Sequence, residues 1–207
     1  AGSGPSGLAS AYAAAKNGAR VILAEDKPRF GGSLLTSEVN IGNQSGKEWA
    51  DNIISELKEM PNVIVKNRSQ VFGYYDHNML VMSEKLSDHL PKTKKYNPKQ
   101  RLWYIRAKEV VISSGSIERP LVFGNNDTPG VMLSSAAKEY LKVYGVLVGK
   151  KPLIFTNNDS GYETAIEFKK NGVDPVVLDT RKELKSEIID EAKKLNIQIK
   201  FSYVVVA

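Results

Sequence analysis

Three features of the chain predict an α/β fold of Rossmann-like type, present once in full and once in a weakened form. The first is Ala1-Gly2-Ser3-Gly4-Pro5-Ser6-Gly7, whose glycines keep the G-x-G-x-x-G spacing at the start of a helix-forming run. The second is Val21-Ile22-Leu23-Ala24-Glu25, an apolar β-forming run that ends in a carboxylate eighteen residues after Gly7. The third is the return of this layout beyond Gly149. There Pro152-Leu153-Ile154-Phe155, Gly161, and Asp179 after Val176-Val177-Leu178 repeat the eighteen-residue interval.

Each part of the first motif has a physical reason. Gly2 permits a tight turn, Gly4 lacks the Cβ that would collide with a pyrophosphate, and Gly7 lets the following helix press on the sheet. The helix N-terminus offers unpaired N–H groups and positive partial charge to phosphates. Glu25 is placed to accept hydrogen bonds from an adenosine ribose. Such a turn normally follows a central strand, yet nothing precedes Ala1, and the apolar run from Ile197 to Ala207 stops without a turn or cap. The expectation is a piece of a longer polypeptide whose first domain lacks its first strand.

A chain of 207 residues with 42% hydrophobic content can bury a real core in one or two domains. No apolar run reaches membrane-spanning length and no secretory leader is visible, so a cytoplasmic protein without a membrane partner is expected. The chain has no cysteine, which excludes disulfides, thiolate metal sites and a redox-active Cys pair within it. The net charge of +6 is moderate. Its densest patch, Lys92-Thr93-Lys94-Lys95 with Lys99 and Arg101, reads as a solvated loop, and no nucleic-acid partner is expected.

In chain order, Ser6 to Asn17 forms a helix with Leu8, Ala11, Tyr12 and Ala15 on one face, and Gly18 stops it. Gly31-Gly32-Ser33 lets a second loop approach the same cofactor. Trp49 to Met60 carries Trp49, Ile53, Ile54 and Leu57 at helical spacing. A β-rich insertion spans about 62–107, with strands at Val63-Ile64-Val65 and Gln70 to Tyr75; the resemblance of this layout to flavin- and NAD-type domains implies that the backbone near Val71 lies beside the adenine. His77, beside Asp76, reads as a turn residue rather than an acid/base catalyst, because nothing completes a catalytic set around it. Leu102 to Arg106 is a hairpin arm leading into a buried strand at Val110-Val111-Ile112. Ser113-Ser114-Gly115 then marks the strand end at the cofactor edge. Ser134 is the expected N-cap of a helix running to Tyr144.

In the second unit only the third glycine of the fingerprint survives, as Gly161 in Thr156-Asn157-Asn158-Asp159-Ser160-Gly161. Asn158 stands where bare backbone is needed, and Asp159 sets negative charge against phosphate. The reading is a domain at 1–148 that binds a dinucleotide and a partial one at 149–207 that does not. A helix is expected over Glu183 to Leu195.

Ser113-Ser114-Gly115 resembles the Ala-Thr-Gly motif that closes the first domain of glutathione-reductase-like FAD/NAD(P)-binding proteins. Longer strings resemble the α subunit of heterotetrameric sarcosine oxidase. They are Gly2 to Leu8, Pro28 to Leu34, Phe72-Gly73-Tyr74-Tyr75-Asp76-His77-Asn78, Gln100 to Trp103, Ile117 to Phe123, Asn125-Asn126-Asp127 with Pro129 to Met132, and Phe155 to Ser160. The resemblance implies a complex with β and smaller subunits that oxidatively demethylates sarcosine to glycine, with O2 as acceptor. Its products are H2O2 and formaldehyde or methylene-tetrahydrofolate. It also implies a tightly bound, non-redox NAD+ in this chain, with FAD and covalent FMN in the wider complex and the folate region beyond Ala207. The implied contacts are Gly2, Gly4, Pro5, Ser6, Gly7, Glu25, Asp26, Gly32, Ser33, Val71, Ser114 and Gly115, with no catalytic and no metal-ligating residue. Ser3 and Ser6 depart from the alanines common in such fingerprints. Two other readings stay open: an FAD-binding subunit of a two-component opine- or proline-type dehydrogenase, and a scaffold subunit with a vestigial site.

Overall fold

A computed structural model describes residues 1–91 and 98–206, so residues 92–95 of the basic patch lie outside the described residues. Two compact units form, Ala1–Ser116 and Ile117–Ala207.

In the first unit, α1 (Pro5–Lys16) precedes β1 (Val21–Ala24), and α2 (Gly46–Glu59) precedes β4 (Val63–Lys66). A 3-10 turn at Gly32–Leu35 and a short hairpin of β2 (Asn40–Ile41) and β3 (Gln44–Ser45) lie between β1 and α2. β1 and β4 pair in parallel with Val21 opposite Val63. The small residues of α1 bring that helix close to its neighbours, and Leu8, Ala11 and Ala15 are buried with Leu23, Ala50, Ile53, Ile54 and Leu57. Leu8 and Leu57 are fully buried, each contributing about 2 kcal/mol of transfer free energy. α2 starts three residues before the expected Trp49, because Ser45 and Glu48 close a capping box.

The β-rich insertion is an antiparallel sheet in the order β5 (Ser69–Tyr75), β6 (Met79–Lys85), β7 (Gln100–Arg106). Its lower bound moves from 62 to 69, because Val63–Lys66 belongs to the parallel sheet. A bulge falls between Val71 and Gly73. His77 and Asn78 both have left-handed φ, +58° and +52°, and close the β5–β6 connection. Asn78 holds that turn by accepting from the Tyr74 hydroxyl at 2.7 Å and donating to the Lys108 carbonyl at 2.7 Å.

The buried strand expected at Val110–Ile112 is not formed: Val111 and Ile112 are exposed and lie outside any strand. Among the described residues their ladder partner is Ala1, whose amino group donates to the Val111 carbonyl while the Ser113 amide donates to the Ala1 carbonyl. Two bonds do not make a strand.

The second unit contains α3 (Ser134–Tyr144), β8 (Leu153–Thr156), α4 (Ser160–Lys170), β9 (Val176–Asp179), α5 (Glu187–Lys194) and β10 (Gln198–Phe201). Its parallel sheet has the order β10-β9-β8. Tyr162, Ala165, Phe168, Val177, Ile189 and Ala192 form its core. The division at 116/117 precedes the expected 148/149 boundary because α3 packs on α4, where Ser134 Oγ donates to Thr164 Oγ1 at 2.7 Å and Lys138 pairs with Glu163 at 2.6 Å. Ser134 therefore opens the helix instead of capping it: Leu133 is the N-cap, and the Ser135 amide donates to the Glu118 carboxylate at 2.6 Å. α5 begins at Glu187 rather than Glu183, with Ser186 as an extended N-cap.

The antiparallel sheet is tied to β4 through Glu84, which accepts from Lys66 Nζ at 2.9 Å and Trp103 Nε1 at 2.8 Å, with Arg101 Nη1 at 3.5 Å. Burial acting alone would raise this carboxyl, but Lys66, Trp103 and Arg101 outweigh it and hold it below the usual carboxylate range. A depressed carboxyl contributes stability above its unfolded pKa and loses it as pH falls through the folded one. Glu84→Ala is expected to lower unfolding stability by about 2 kcal/mol at neutral pH. Urea titrations should show that difference shrinking in acid.

Candidate functional site

The expected site residues gather at the C-terminal end of β1. The Gly2 amide donates to the Ala24 carbonyl at 2.8 Å, so residues 1–3 run between β1 and residues 111–113. Gly2 adopts φ +98°, and a Cβ there would stand 2.2 Å from the Ser113 carbonyl oxygen. A Cβ at Gly7 would stand 2.1 Å from the Gly2 carbonyl oxygen and 3.3 Å from Ser113 Cβ. These two glycines are required by packing. Gly4 differs, because a Cβ there would meet nothing within 4 Å.

That open space lies at the start of α1. Gly4 is its N-cap without any side-chain cap, Pro5 opens the first turn without an N–H of its own, and no acidic residue occupies that turn. The amides of Ser6 and Gly7 fall among those that an α-helix leaves unpaired at its start, which suits an anion. The second glycine loop closes on the same place: the Gly31 amide donates to the Ser3 carbonyl at 3.0 Å. A Cβ at Gly32 would stand 2.8 Å from Gly4 Cα, and Ser33 follows in the 3-10 turn.

Glu25 is buried, with 6% of its surface exposed. Its Oε2 accepts from the Ser3 amide at 2.9 Å and the Ser3 hydroxyl at 2.5 Å, and its Oε1 accepts from the Lys27 amide at 3.0 Å. Burial, reinforced by Asp26, raises this carboxyl above its ordinary value, and the bonds from Ser3 and Lys27 oppose the rise. The Ser69 amide donates to the Glu25 carbonyl at 2.7 Å, which brings the start of β5 to the acid, with Val71 two residues further. A Cβ at Gly2 would stand 3.2 Å from the Ser114 amide, and Gly115 follows with φ +69° and open space around it. Asp26 is exposed beside Glu25.

An open glycine, an uncapped helix N-terminus and a buried carboxylate fit the ADP half of a dinucleotide. Sequence reasoning missed the bond from Ser3 to Glu25, and it placed Ser113 at the cofactor edge without its contacts to Gly2 and Gly7. Ser3 was legible only as a departure from alanine, and Ser113 lies over a hundred residues from the glycines it touches.

The second unit keeps the layout and fills its own site. Asn158 Oδ1 accepts from the Ser160 amide at 2.9 Å and the Ser160 hydroxyl at 2.6 Å, which satisfies the start of α4 internally. Arg181 pairs with Asp159 at 2.9 Å and with Asp179 at 2.8 Å, and the Tyr162 hydroxyl donates to Asp179 at 2.7 Å. Burial would raise the fully buried Asp179, but Arg181 and Tyr162 hold it below the usual range. Arg181, two residues past the acid, supplies the cation that lets Asp179 stay ionised inside the unit. Gly161 serves packing here, since a Cβ would stand 2.7 Å from Thr156 Cβ. Among the described residues, no group of three or more His, Cys, Asp or Glu is arranged to hold a metal, and no helix is long and apolar enough to cross a membrane.

The FAD dependent oxidoreductase family matches residues 1–93. The alpha chain of sarcosine oxidase from Rhizobium meliloti (strain 1021) is 44% identical over 181 residues, which is 87% of this chain and 18% of that protein. Its counterpart from Corynebacterium sp. (strain U-96) is 37% identical over 88% of this chain and 19% of its own length. One of the subunits of opine oxidase from Agrobacterium tumefaciens (strain Ach5) is 28% identical over 74% of this chain and 32% of its own length. The chain thus spans about a fifth of the sarcosine oxidase subunits it matches. Among solved structures, L-proline dehydrogenase from P. horikoshii superposes with TM-score 0.69 at 23% identity, covering 90% of this chain and 36% of that one. Thioredoxin reductase of T. acidophilum superposes with TM-score 0.67 at 16% identity, covering 97% and 62%. The mixed α/β, FAD/NAD(P)-binding Rossmann-type fold is common to them.

The two kinds of glycine are separable by stability. Gly7→Ala should lower unfolding stability by about 1–3 kcal/mol through overpacking. Gly4→Ala should leave thermal unfolding of the ligand-free protein within about 0.5 kcal/mol of the parent.

Proposed function

We propose, from the premise that this chain is a homologue of sarcosine oxidase alpha subunits, that its first unit holds the ADP half of a dinucleotide within an amine-oxidising flavoenzyme complex. The observation that carries this reading is the open space at Gly4, set between the uncapped start of α1 and the buried Glu25. The amides at the start of α1 and in the Gly32-Ser33 turn bind the diphosphate, and Glu25 accepts from the ribose. Pro5, Ser6, Asp26, Val71, Ser114 and Gly115 border the same cofactor. A flavin bound here would supply a two-electron acceptor, whereas NAD+ would be held without turning over.

The family match favours FAD. The NAD+ expected from the sequence resemblance shares the ADP half, so Gly4 and Glu25 would serve either. In the whole protein, with the other subunits, the reaction is oxidation of sarcosine at its N-methyl group. Sarcosine, O2 and water give glycine, H2O2 and formaldehyde, or the one-carbon unit passes to tetrahydrofolate. No residue of this chain is assigned a catalytic role. The similarity to the opine oxidase of Agrobacterium tumefaciens supports a second reading, in which the complex oxidises a larger secondary amino acid. In both readings the second unit binds no nucleotide, because Asn158, Asp159 and Arg181 occupy its turn.

Mass spectrometry of the ligand released on denaturing the purified protein tests the proposal. FAD or NAD+ supports it, with flavin absorbance separating the two, and release of neither overturns it. Gly4→Val should abolish retention of that ligand, while Asn158→Ala should leave it unchanged.

Glu25 adds a pH dependence of known sign. Its raised carboxyl takes up a proton at higher pH than an ordinary glutamate does, which removes an acceptor and weakens the dinucleotide as pH falls. The same protonation relieves a buried charge, so ligand-free stability moves the opposite way. Binding titrations across the acid range should show that loss in the parent and a flat profile in Glu25→Gln.

A further inference from the structure

Ser3 occupies the position between the first two glycines of the fingerprint and is fully buried. Both donors of this residue, the amide and the hydroxyl, go to the same oxygen, Glu25 Oε2, at 2.9 and 2.5 Å. Its carbonyl accepts from the Gly31 amide at 3.0 Å, and its hydroxyl lies 3.4 Å from that amide. One side chain thereby joins the phosphate turn, the acidic strand end and the second glycine loop. A carboxylate has about four lone-pair sites. Ser3 fills both on Oε2, and the Lys27 amide takes one on Oε1. What remains for a ligand lies on Oε1.

We infer that the Ser3 hydroxyl is a positioning group for the dinucleotide site, locking the Glu25 carboxylate so that its Oε1 edge receives the ADP ribose. This rests on the reading of the first unit given above and extends it to a residue that does not touch the ligand. Without the hydroxyl the carboxylate is free to turn about its last torsion, and a buried oxygen loses a charge-assisted bond. Alanine keeps the main-chain bond, so the turn survives while the lock is lost. The hydroxyl also favours the ionised acid, and its loss moves protonation toward neutral pH. The charged groups acting on Glu25 are the Asp26 carboxylate and the Ala1 amino group. Ser3→Ala leaves both in place.

The test is calorimetric titration of ADP, the half common to both candidate cofactors, into the purified full protein stripped of resident dinucleotide. Ser3→Ala should weaken ADP about tenfold near neutral pH, the scale of one hydrogen bond to a charged group. It should also move the acid-side loss of binding to higher pH, and Ser3→Gly, which also lacks the hydroxyl, should give the same displacement. In a Glu25→Gln background, Ser3→Ala should change binding by less than about twofold, because the partner it acts through has been altered. An equal loss in both backgrounds, or an unmoved pH profile, overturns the inference while leaving the dinucleotide site standing. Failure of the parent to bind ADP overturns both.

Discussion

A buried carboxylate is tolerated only where donors surround it, and that requirement shapes the first unit. Glu25 is taken from water at the end of β1 and answered by three donors, two from Ser3 and one from Lys27. Meeting them draws the glycine turn against the strand end. The Gly31 amide on the Ser3 carbonyl then brings the second glycine loop to the same point. Close packing follows, with Gly2 and Gly7 left no space for a side chain. Gly4, the middle glycine of that turn, stays open. The cofactor reading depends on this contrast between filled and empty neighbours.

The second unit solves the same problem differently. Its strand also ends in a buried acid eighteen residues after a packing glycine, but Asp179 is answered by Arg181 and Tyr162. Arg181 also binds Asp159, and Asn158 satisfies the start of α4. A phosphate entering here would meet a carboxylate and an amide that already has its partner. In the first unit the matching positions carry glycine, proline and serine, and the donors wait. Two copies of one layout thus separate into an open turn and a filled one through side chains at four or five positions.

Periodicity and turn chemistry made much of this legible. α1, β1, α2, β4 and β5 arise where small, apolar or β-branched residues recur at helical or strand spacing, within a few residues of the expected bounds. The glycines and Glu25 could be singled out because each spacing answers a steric or electrostatic need. Where expectation and structure part, the reason is tertiary. Ser134 carries a cap-forming side chain, yet Thr164 holds its hydroxyl and Glu118 serves the helix start instead. Val110–Ile112 has strand composition, but a strand also needs a paired neighbour along its length. Val63–Lys66 reads as part of an insertion until its register with β1 places it in the parallel sheet.

The sequence by itself determined the Rossmann-like class, the position of the bare turn, the acid that answers it and the weakness of the second fingerprint. Those features are local, set by which side chains are missing or charged within some twenty residues. Only the tertiary structure showed what Gly2 and Gly7 pack against, since their neighbour Ser113 lies more than a hundred residues away. It alone also disclosed the bond from Ser3 to Glu25 and the pairing of Arg181 with two acids. Hydrogen bonds between distant residues depend on where strand ends meet, and no spacing along the chain encodes that distance.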